Sequence, residues 1–270
     1  MKLTNEMLNE LCELAKTAAL SAGKIINECN REELNINKKK GGENLASQVV
    51  TEIDLQAQKS ILDILYPSLK KYDLGLLAEE DNDNGSRFEK DYFWCIDPLD
   101  GTLAFSRNED GYSVSIALVK RDGTPIIGVV FDPRAKDIYY AIKDQGAYKN
   151  ETPFKLDTLQ NKLTLLYDQS FLKIDNYDEE INKLKEIAQG KGLDGVELYH
   201  LGGAVMNGLS TISMAPALYY KHPKKSEGGG SIWDFAASSI IQSEAGGYNT
   251  NYHGAPLDLN RADSTFMNHE

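Results

Sequence analysis

The spacing of apolar residues predicts a long amphipathic helix at the amino end of the chain. Apolar side chains recur at steps of three and four positions from Met7 to Cys29, which is the period of one face of a helix. Thr4 stands just before this pattern and can cap the first turn through its hydroxyl. We therefore predict a helix that begins near Thr4 and buries one face.

A second helix is predicted beyond the polar, lysine-rich segment at residues 38–44, which we interpret as a loop and a candidate lid. Ile61 and Leu65 lie one helical turn apart and mark the apolar face. We expect this helix to begin around residues 49–54. We expect it to bend or break before Pro67, because proline lacks the backbone N–H that a helix interior uses.

The middle of the chain has the pattern of β-strands. Short runs rich in β-branched and aromatic residues are separated by turn sequences at residues 121–124 and 132–135. The predicted strands cover residues 74–78, 92–96, 113–119, 126–131 and 138–142. Short turns between consecutive strands favour an antiparallel meander.

From about residue 152 onward, strands and helices alternate. The predicted strands are 163–167, 196–199 and 217–220, and the predicted helices are 177–188, 203–213 and 232–245. Such alternation indicates an α/β half. The fold class is therefore predicted as α/β (α+β) in layers, with an amino-terminal half at 1–155, a carboxyl-terminal half at 156–270 and a boundary near residues 151–158.

Charge and cysteine content narrow the functional classes. The 270 residues carry a net charge of -12, which argues against nucleic-acid binding by a general basic surface. We see no bilayer-spanning stretch and no targeting segment, and we expect a cytoplasmic protein that does not bind membranes. Cys12, Cys29 and Cys95 lack the spacing of a disulfide framework or a metal site, so reduced thiols are expected.

Acidic residues stand at the ends of several predicted elements: Asp54, Glu79, Glu80, Asp97, Asp100 and Asp234. Each of them alone is explained by a solvated turn or a helix cap. Together they suggest a cation site, because two carboxylates about 5 Å apart repel by roughly 3 kcal/mol at an effective dielectric constant of about 20. Oxygen ligands without histidine or cysteine favour Mg2+ over zinc.

Two other interpretations of the acidic motifs are excluded because the residues that they require are missing at the required positions. The sequence LDGTL resembles the start of a haloacid-dehalogenase-type phosphatase, whose nucleophilic aspartate lies two residues before the second aspartate. Pro98 holds that place relative to Asp100. A calcium loop that starts in the 81–85 segment needs glycine at its sixth place and glutamate at its twelfth, where the chain has Ser86 and Tyr92.

The motifs, in their order along the chain, resemble the inositol monophosphatase superfamily. The matching segments are residues 50–54, 77–81, 97–102 (DPLDGT), 146–150, 232–237 (IWDFAA) and 244–247 (EAGG). The resemblance covers nearly the whole chain. It implies a layered αβαβα sandwich and an Mg2+-dependent phosphomonoesterase, often inhibited by Li+.

The resemblance also implies roles for individual residues. Two or three Mg2+ ions are expected to be held by Glu79, Asp97, the Leu99 carbonyl, Asp100 and Asp234, with Asp97 bridging two of them. The attacking water is expected to be oriented by Thr102 together with Asp54 or the pair formed by Glu79 and Glu80. The backbone N–H groups of Gly101 and Thr102 are expected to hold the phosphate.

The substrate prediction depends on Lys221. Inositol-selective members have a glutamate at this place, and a lysine instead suggests a substrate with a second anionic group. With the basic, glycine-rich segment at 222–231, it favours a 3'(2'),5'-bisphosphate nucleotidase acting on 3'-phosphoadenosine 5'-phosphate. Gly202, Gly203 and Ala204 open a helix and are expected to line the same pocket.

Three alternatives stay open at this point. In the first, the basic segment is a solvated loop, which leaves inositol 1-phosphate as the substrate. The chain can also be read as a catalytically silent protein that binds a phosphorylated metabolite. We expect a small phosphorylated molecule as the binding partner, and either a monomer or a homodimer.

Overall fold

The computed structural model describes residues 2–29, 43–157, 160–168, 170–223 and 230–267, with only the backbone for 43–50. The helices are α1 (Asn5–Glu28), α2 (Glu43–Lys71), α3 (Ser86–Glu89), α4 (Thr102–Arg107), α5 (Tyr177–Gly190), α6 (Ala204–Ser213) and α7 (Ile232–Glu244). The first strands are β1 (Gly75–Ala78), β2 (Tyr92–Asp100), β3 (Ser113–Lys120), β4 (Pro125–Asp132) and β5 (Asp137–Ile142). The others are β6 (Ala147–Lys149), β7 (Thr152–Pro153), β8 (Leu163–Leu166), β9 (Val196–Tyr199) and β10 (Ala217–Tyr219).

The strands form two sheets. The first sheet has seven strands in the order β1 to β7, in which β1 runs parallel to β2 and every later neighbour is antiparallel. The second has three parallel strands in the order β10-β8-β9. The predicted meander of β3, β4 and β5 is therefore confirmed.

Alternate side chains of β2 enter two different cores. Trp94 and Ile96 face the layer of α1 and α2, whereas Phe93 and Cys95 face the layer of α6 and α7. Because both faces are covered, the strand is a continuous apolar run rather than an alternating one. The three-stranded sheet then packs between α6 and α5. The predicted αβαβα sandwich is thus confirmed, while the division into two halves stays a prediction.

Helix α1 forms as the sequence predicts. The Thr4 side chain accepts a hydrogen bond from the Met7 backbone N–H at 3.3 Å, which satisfies one of the free donors of the first turn. Of the predicted stripe, Leu11, Ala18 and Ala22 are buried, whereas Met7, Leu14, Ile25 and Cys29 are only partly buried. The buried face includes four alanines, Ala15, Ala18, Ala19 and Ala22. Small side chains at these positions allow close packing against α2 and β4.

The predictions for α2 were wrong at both ends. The helix already begins at Glu43, so that Asp54 lies inside it and not at its start, and it continues through Pro67 to Lys71. The residue after Pro67 is held by two side-chain hydrogen bonds. The buried Ser68 hydroxyl donates to the Leu65 carbonyl at 2.6 Å and accepts from the Trp94 indole at 2.9 Å, which anchors the turn after the proline.

Some elements have no clear sequence signal. The short helices α3 and α4 and the short strands β6 and β7 were not predicted. The proposed lid at 38–44 lies outside the described residues, apart from the first helical residues at 43–44. Within the part of the chain that the structure describes, no helix is both long and apolar enough to cross a membrane.

Gly128 offers a test of the packing between the first sheet and α7. A Cβ atom there would lie 2.5 Å from the Ala237 carbonyl oxygen and 2.6 Å from Ile240. We expect Gly128→Ala to lower the free energy of unfolding by about 1–3 kcal/mol, because overpacking forces the helix away from the strand. Urea unfolding measures this, with Gly190→Ala as the control, since a Cβ at Gly190 meets nothing within 4 Å. Equal stability of the two variants would contradict the packing argument.

Candidate metal centre

Parallel pairing of β1 and β2 brings the first two acidic residues together. Ala78 is the register partner of Ile96, and the Glu79 backbone N–H donates to the Ile96 carbonyl at 3.1 Å. The next residue on each strand, Glu79 or Asp97, therefore leaves the sheet at the same edge. The Glu79 carboxyl hydrogen-bonds to Asp97, although the Glu79 residue as a whole is exposed.

The end of β2 is bent so that Asp97 and Asp100 both reach the site. The register with β3 shifts between these residues, and the Leu99 backbone N–H donates to Asp97 Oδ1 at 2.9 Å. Gly101 then has a φ of 81°, in the left-handed region that favours glycine. The register shift, the hydrogen bond from Leu99 and the left-handed conformation of Gly101 together fix the backbone at this corner.

Helix α6 holds the Asp100 carboxylate from the other side. The backbone N–H groups of Ala204 and Val205 donate to Asp100 Oδ1 and Oδ2 at 3.2 and 3.0 Å, as expected for an anion at a helix N-terminus. A Cβ atom on Gly203 would lie 2.1 Å from Asp100 Oδ2. The absence of a side chain at Gly203 is therefore what lets the carboxylate approach the helix.

Asp234 is presented by the first turn of α7. Its carboxylate accepts from the Ser231 backbone N–H at 2.8 Å, as part of a capping box. The Ser115 hydroxyl on β3 donates to the Trp233 carbonyl at 3.2 Å. This contact ties the start of α7 to the sheet that carries Asp97.

Asp97, Asp100 and Asp234 form what we term the carboxylate cluster. One oxygen from each residue lies within 4.8 Å of the other two. Asp97 is 1% exposed and Asp100 is 7% exposed, so solvent screens their charges poorly. The structure thus brings together three of the five predicted metal ligands, and Glu79 adjoins them through Asp97. The Leu99 carbonyl accepts a 3.3 Å hydrogen bond from Thr102 Oγ1.

Burial and the charges of neighbouring acids raise the pKa values of these side chains. Burial, followed by the charges of Glu79, Asp100 and Asp234, raises the pKa of Asp97 well above its usual range. Burial raises the pKa of Asp100 to about 8 and that of Glu79 to about 7. Burial also raises the pKa of Asp234. Without a cation, protons must therefore replace part of the missing positive charge.

The donor set fits Mg2+. The carboxylate cluster supplies oxygen atoms only, on rigid supports, and hard cations such as Mg2+ prefer such ligands. A further buried oxygen, Asp54 Oδ1, has no hydrogen-bond partner among the described residues. A bound cation with its waters would satisfy these groups and allow the carboxylates to ionise.

Two of the residues expected to orient water, Asp54 and Glu80, lie near Glu79, which adjoins the carboxylate cluster. Burial, followed by the charges of Glu80 and Glu79, raises the pKa of Asp54 to about 8. The Glu80 backbone N–H donates to Gln58 Oε1 at 3.0 Å, one helical turn along α2 from Asp54. Thr102 is exposed at the start of α4. Their roles in orienting water stay predictions.

Two of the backbone N–H groups expected to bind substrate, at the start of α6, already have hydrogen-bond partners within the protein. The Gly203 backbone N–H donates to the Gly111 carbonyl at 2.7 Å, and the Ala204 N–H is used by Asp100. The anion that this helix start receives in the structure is therefore a side chain of the protein itself. Gly202 has a φ of 90° and forms the turn before α6. Substrate contacts of Gly101, Thr102 and these residues stay predictions.

Lys221 forms an ion pair that the sequence did not indicate. Its Nζ lies 3.2 Å from Asp168 Oδ2, and both side chains are about four-fifths buried. Tyr219 was also missed, and its buried hydroxyl has no hydrogen-bond partner among the described residues. The only available signal was position, since Asp168 and Lys221 each follow the carboxyl end of a strand in the second sheet. The segment 224–229 lies outside the described residues.

Comparison with known proteins agrees with the geometry. The model of the inositol monophosphatase family matches residues 7–270. The chain is 31% identical over 260 residues to an inositol-1-monophosphatase of Synechocystis sp., covering 92% of this chain and 80% of that protein. It is 26% identical over 253 residues to a fructose-1,6-bisphosphatase/inositol-1-monophosphatase of Aquifex aeolicus, covering 91% and 87%.

A solved structure supports the same assignment. The inositol monophosphatase from Anabaena (Nostoc) sp. superposes with a TM-score of 0.70 at 27% identity, covering 93% of this chain and 88% of that one. The fold and the carboxylate cluster define a layered α/β protein with an oxygen-only cation site. With the family match over almost the full length, the chain belongs to the inositol monophosphatase family of phosphatases.

The contact between Gly203 and Asp100 can be tested by adding one methyl group. We expect Gly203→Ala to displace the Asp100 carboxylate and to weaken Mg2+ binding at least about tenfold, since the ligand geometry of Mg2+ tolerates little displacement. Isothermal titration calorimetry measures this. Gly208→Ala on the same helix is the control, because its Cβ would make ordinary contacts of 3.6 Å or more. Unchanged affinity in Gly203→Ala would contradict the steric argument.

The raised pKa values predict how the metal-free protein responds to pH. Asp54, Glu79 and Asp100 keep their protons in the folded chain up to pH values of about 7 to 8, but ionise near pH 4 when unfolded. Their contribution to stability is therefore complete below about pH 4 and is lost as the pH rises to about 8. Mg2+ should restore more stability at pH 8 than at pH 6, because it binds the ionised carboxylates.

Urea unfolding in EDTA and in Mg2+, at steps from pH 5 to pH 9, measures this dependence. Asp100→Asn is the comparison, because it removes one of the acids with a raised pKa while keeping the size of the side chain. Its stability should fall less steeply with pH than that of the unchanged chain. Parallel curves for the two proteins would contradict the assigned pKa shift.

Proposed function

We propose that this chain is an Mg2+-dependent phosphomonoesterase that hydrolyses a small phosphorylated metabolite through an activated water molecule. The observation that carries the proposal is the carboxylate cluster, in which three oxygen ligands converge within 4.8 Å on rigid strand and helix ends. Such a cluster needs cations, and a phosphate ester is an anion that bound cations attract. The family match supports the same reaction class.

In this proposal, some residues bind Mg2+ and others orient the attacking water. Asp97, Asp100 and Asp234 would hold Mg2+, with Glu79 and the Leu99 carbonyl at the edge of the site. When bound, Mg2+ supplies a water of lowered pKa and charge that stabilises the leaving oxygen. Thr102 and either Asp54 or Glu80 would orient the attacking water through hydrogen bonds.

The phosphate would contact the corner at Gly101. The left-handed backbone at this residue lies between β2 and α4, and its N–H group and that of Thr102 directly follow Asp100 in the chain. Backbone N–H groups are suitable donors to phosphate oxygens. This arrangement requires no covalent phospho-enzyme, consistent with proline in place of a nucleophilic aspartate at residue 98.

For the substrate, we propose inositol 1-phosphate or a related polyol phosphate as the first choice. The relative at 31% identity is named inositol-1-monophosphatase, and the relative at 26% identity is named fructose-1,6-bisphosphatase/inositol-1-monophosphatase. The ammonium of Lys221 was the main sequence argument for a second anion on the substrate. Because Asp168 already balances that charge, the argument for a bisphosphate is weaker than the sequence alone suggested.

A second candidate is 3'-phosphoadenosine 5'-phosphate, the substrate favoured by the sequence. Lys221 retains 20% of its side-chain exposure and lines a cavity of about 640 Å3 together with Tyr220, Phe235 and Tyr252. Aromatic walls and a cation suit a nucleotide that carries a second phosphate. This observation keeps the bisphosphate nucleotidase reading as the alternative.

Phosphate release from both compounds, side by side in Mg2+ and in EDTA, tests the proposal. We expect release in Mg2+ only, and a loss of at least about a hundredfold in Asp97→Asn, because this change removes a charge that the cations require. Lys162→Met, a surface change, is the control variant. A higher kcat/KM for the inositol ester supports the first choice, whereas a higher value for the nucleotide supports the second.

Two results would overturn the proposed reaction. Full activity in Asp97→Asn would show that the carboxylate cluster does not carry the chemistry. Tight binding of either compound in saturating Mg2+ without any release of phosphate would favour the catalytically silent binding protein.

A further inference from the structure

The turn that carries Asp234 is attached to a second, distant segment of the chain. Residues 230–232 pair with residues 265–267 in a short antiparallel arrangement centred on Ser231 and Phe266, which we term the backbone bridge. Its backbone hydrogen bonds include Ile232 N–H to the Thr265 carbonyl at 2.8 Å and Met267 N–H to the Gly230 carbonyl at 2.9 Å.

The backbone bridge lies directly against a predicted metal ligand. The Ser231 N–H that donates to the Asp234 carboxylate belongs to it, and a Cβ atom on Gly230 would lie 3.0 Å from Asp234 Oδ2. The capping box alone would let this carboxylate move together with α7. Because the bridge fixes the turn to a second segment, the position of Asp234 relative to Asp97 depends on where that segment is held.

Arg261 holds residues 265–267 in place. Its Nη1 donates to the Phe266 carbonyl at 3.0 Å, and its Nε and Nη2 donate to Asp263 Oδ1 and Oδ2 at 2.9 Å each. A guanidinium that binds one carboxylate through two donors has a fixed orientation. Arg261 is only 8% exposed, so water competes little for these donors. The chain between residues 261 and 266 is therefore folded around one buried side chain.

Arg87 anchors the start of this segment to the first sheet. Its Nη1 donates to the Arg261 carbonyl at 2.9 Å and to Asn260 Oδ1 at 2.7 Å, and its Nε pairs with Asp83 at 2.7 Å. The Asn260 side-chain amide donates to the Arg121 carbonyl at 2.8 Å. Because Arg87 is buried, these contacts form a fixed anchor and not a surface ion pair.

Residues 260–267 thus form a strap between the two ends of β2. The anchored end lies just past β3, where Lys120 pairs with Tyr92 at the beginning of β2. The other end holds the turn of Asp234, whose carboxylate meets that of Asp97 near the end of β2. A strand rises about 3.3 Å per residue, so these two points are roughly 15 Å apart along the strand.

We propose that Arg261 is a positioning residue of the metal centre, which sets the place of Asp234 relative to Asp97 and Asp100 through the backbone bridge. This inference rests on the proposed metal centre. Two acids come from β2 and the third from α7, and Mg2+ tolerates little departure from octahedral geometry. The strap joins the two elements, so the ligands keep one arrangement before a cation arrives.

Metal titration without substrate tests this role. Calorimetry with Mg2+ and electron paramagnetic resonance with Mn2+ are applied to the unchanged chain, to Arg261→Met and to Arg261→Lys. We expect Arg261→Met to bind either ion about tenfold more weakly, because the loosened turn no longer holds Asp234 in place. Loss of a positive charge would by itself tighten cation binding, so the direction of the change separates positioning from electrostatics.

Arg261→Lys provides a partial rescue. It keeps the charge and one donor group for the Phe266 carbonyl, but it loses the fork that binds Asp263. We expect metal binding about threefold weaker than in the unchanged chain.

Amide hydrogen exchange in EDTA, followed by nuclear magnetic resonance, gives a readout that needs no metal. The Ile232 and Met267 N–H groups should exchange at least about tenfold faster in Arg261→Met, because opening of the backbone bridge exposes them. The Phe154 N–H, which donates to the Ala147 carbonyl at 2.8 Å beside β7, is the internal reference and should change less than about threefold.

Two control variants separate this role from a general loss of stability. Arg121→Met removes a half-exposed guanidinium that pairs with Asp91 at 3.3 Å, and it should leave metal affinity unchanged. Leu11→Ala opens a cavity in the core beside α1. It should lower the unfolding temperature and leave the metal affinity of the folded protein unchanged.

Metal affinities of Arg261→Met that agree within twofold with those of the unchanged chain would overturn the inference while leaving the proposed function intact. Unchanged exchange at Ile232 and Met267 would do the same. If Arg261→Met does not fold, Arg261→Lys decides, and unchanged affinity in that variant would overturn the inference. Absence of Mg2+ and Mn2+ binding in the unchanged chain would overturn both the inference and the proposed function.

Discussion

Repulsion among buried carboxylates is the constraint around which this structure is built. Asp97, Asp100 and Asp234 hold oxygen atoms within 4.8 Å of one another, in a region that water screens poorly. Such an arrangement persists only if the rest of the fold forces the groups together. Here β1–β2 pairing, a bent strand end, a glycine before α6 and the capping box of α7 together position the acids, and the mutual repulsion of the acids lowers the stability of the metal-free fold.

The layered fold follows from the same region. Strand β2 delivers Asp97 and Asp100, and it is also the strand whose two faces enter both large cores. A shift of β2 by one residue would exchange its two faces and disrupt the cores on both sides. Packing of Trp94 and Phe93 therefore fixes the register of β2, and with it the position at which Asp97 and Asp100 leave the sheet. Core packing and chemistry are specified by one segment.

Much of this could be predicted from the sequence, because local signals and global packing agree. The Thr4 cap, the meander turns and the acidic strand ends are all readable from residue type and spacing. The failures have physical causes. The course of α2 past Pro67 depends on Trp94 donating to Ser68, a contact between distant residues, and Asp168 meets Lys221 only because β8 and β10 are parallel neighbours. No spacing rule within one segment contains either contact.

The distribution of the acids along the chain has a consequence for synthesis on the ribosome. Glu79, Asp97 and Asp100 emerge well before Asp234, which arrives on α7 near the carboxyl end. Until α6 supplies its N–H groups and α7 docks on the sheet, the early acids have neither their final partners nor a complete set of ligands for a cation. The acids that are translated first thus lack their final partners until α6 and α7 have packed on the sheet, and a cation would stabilise the site only at this late step.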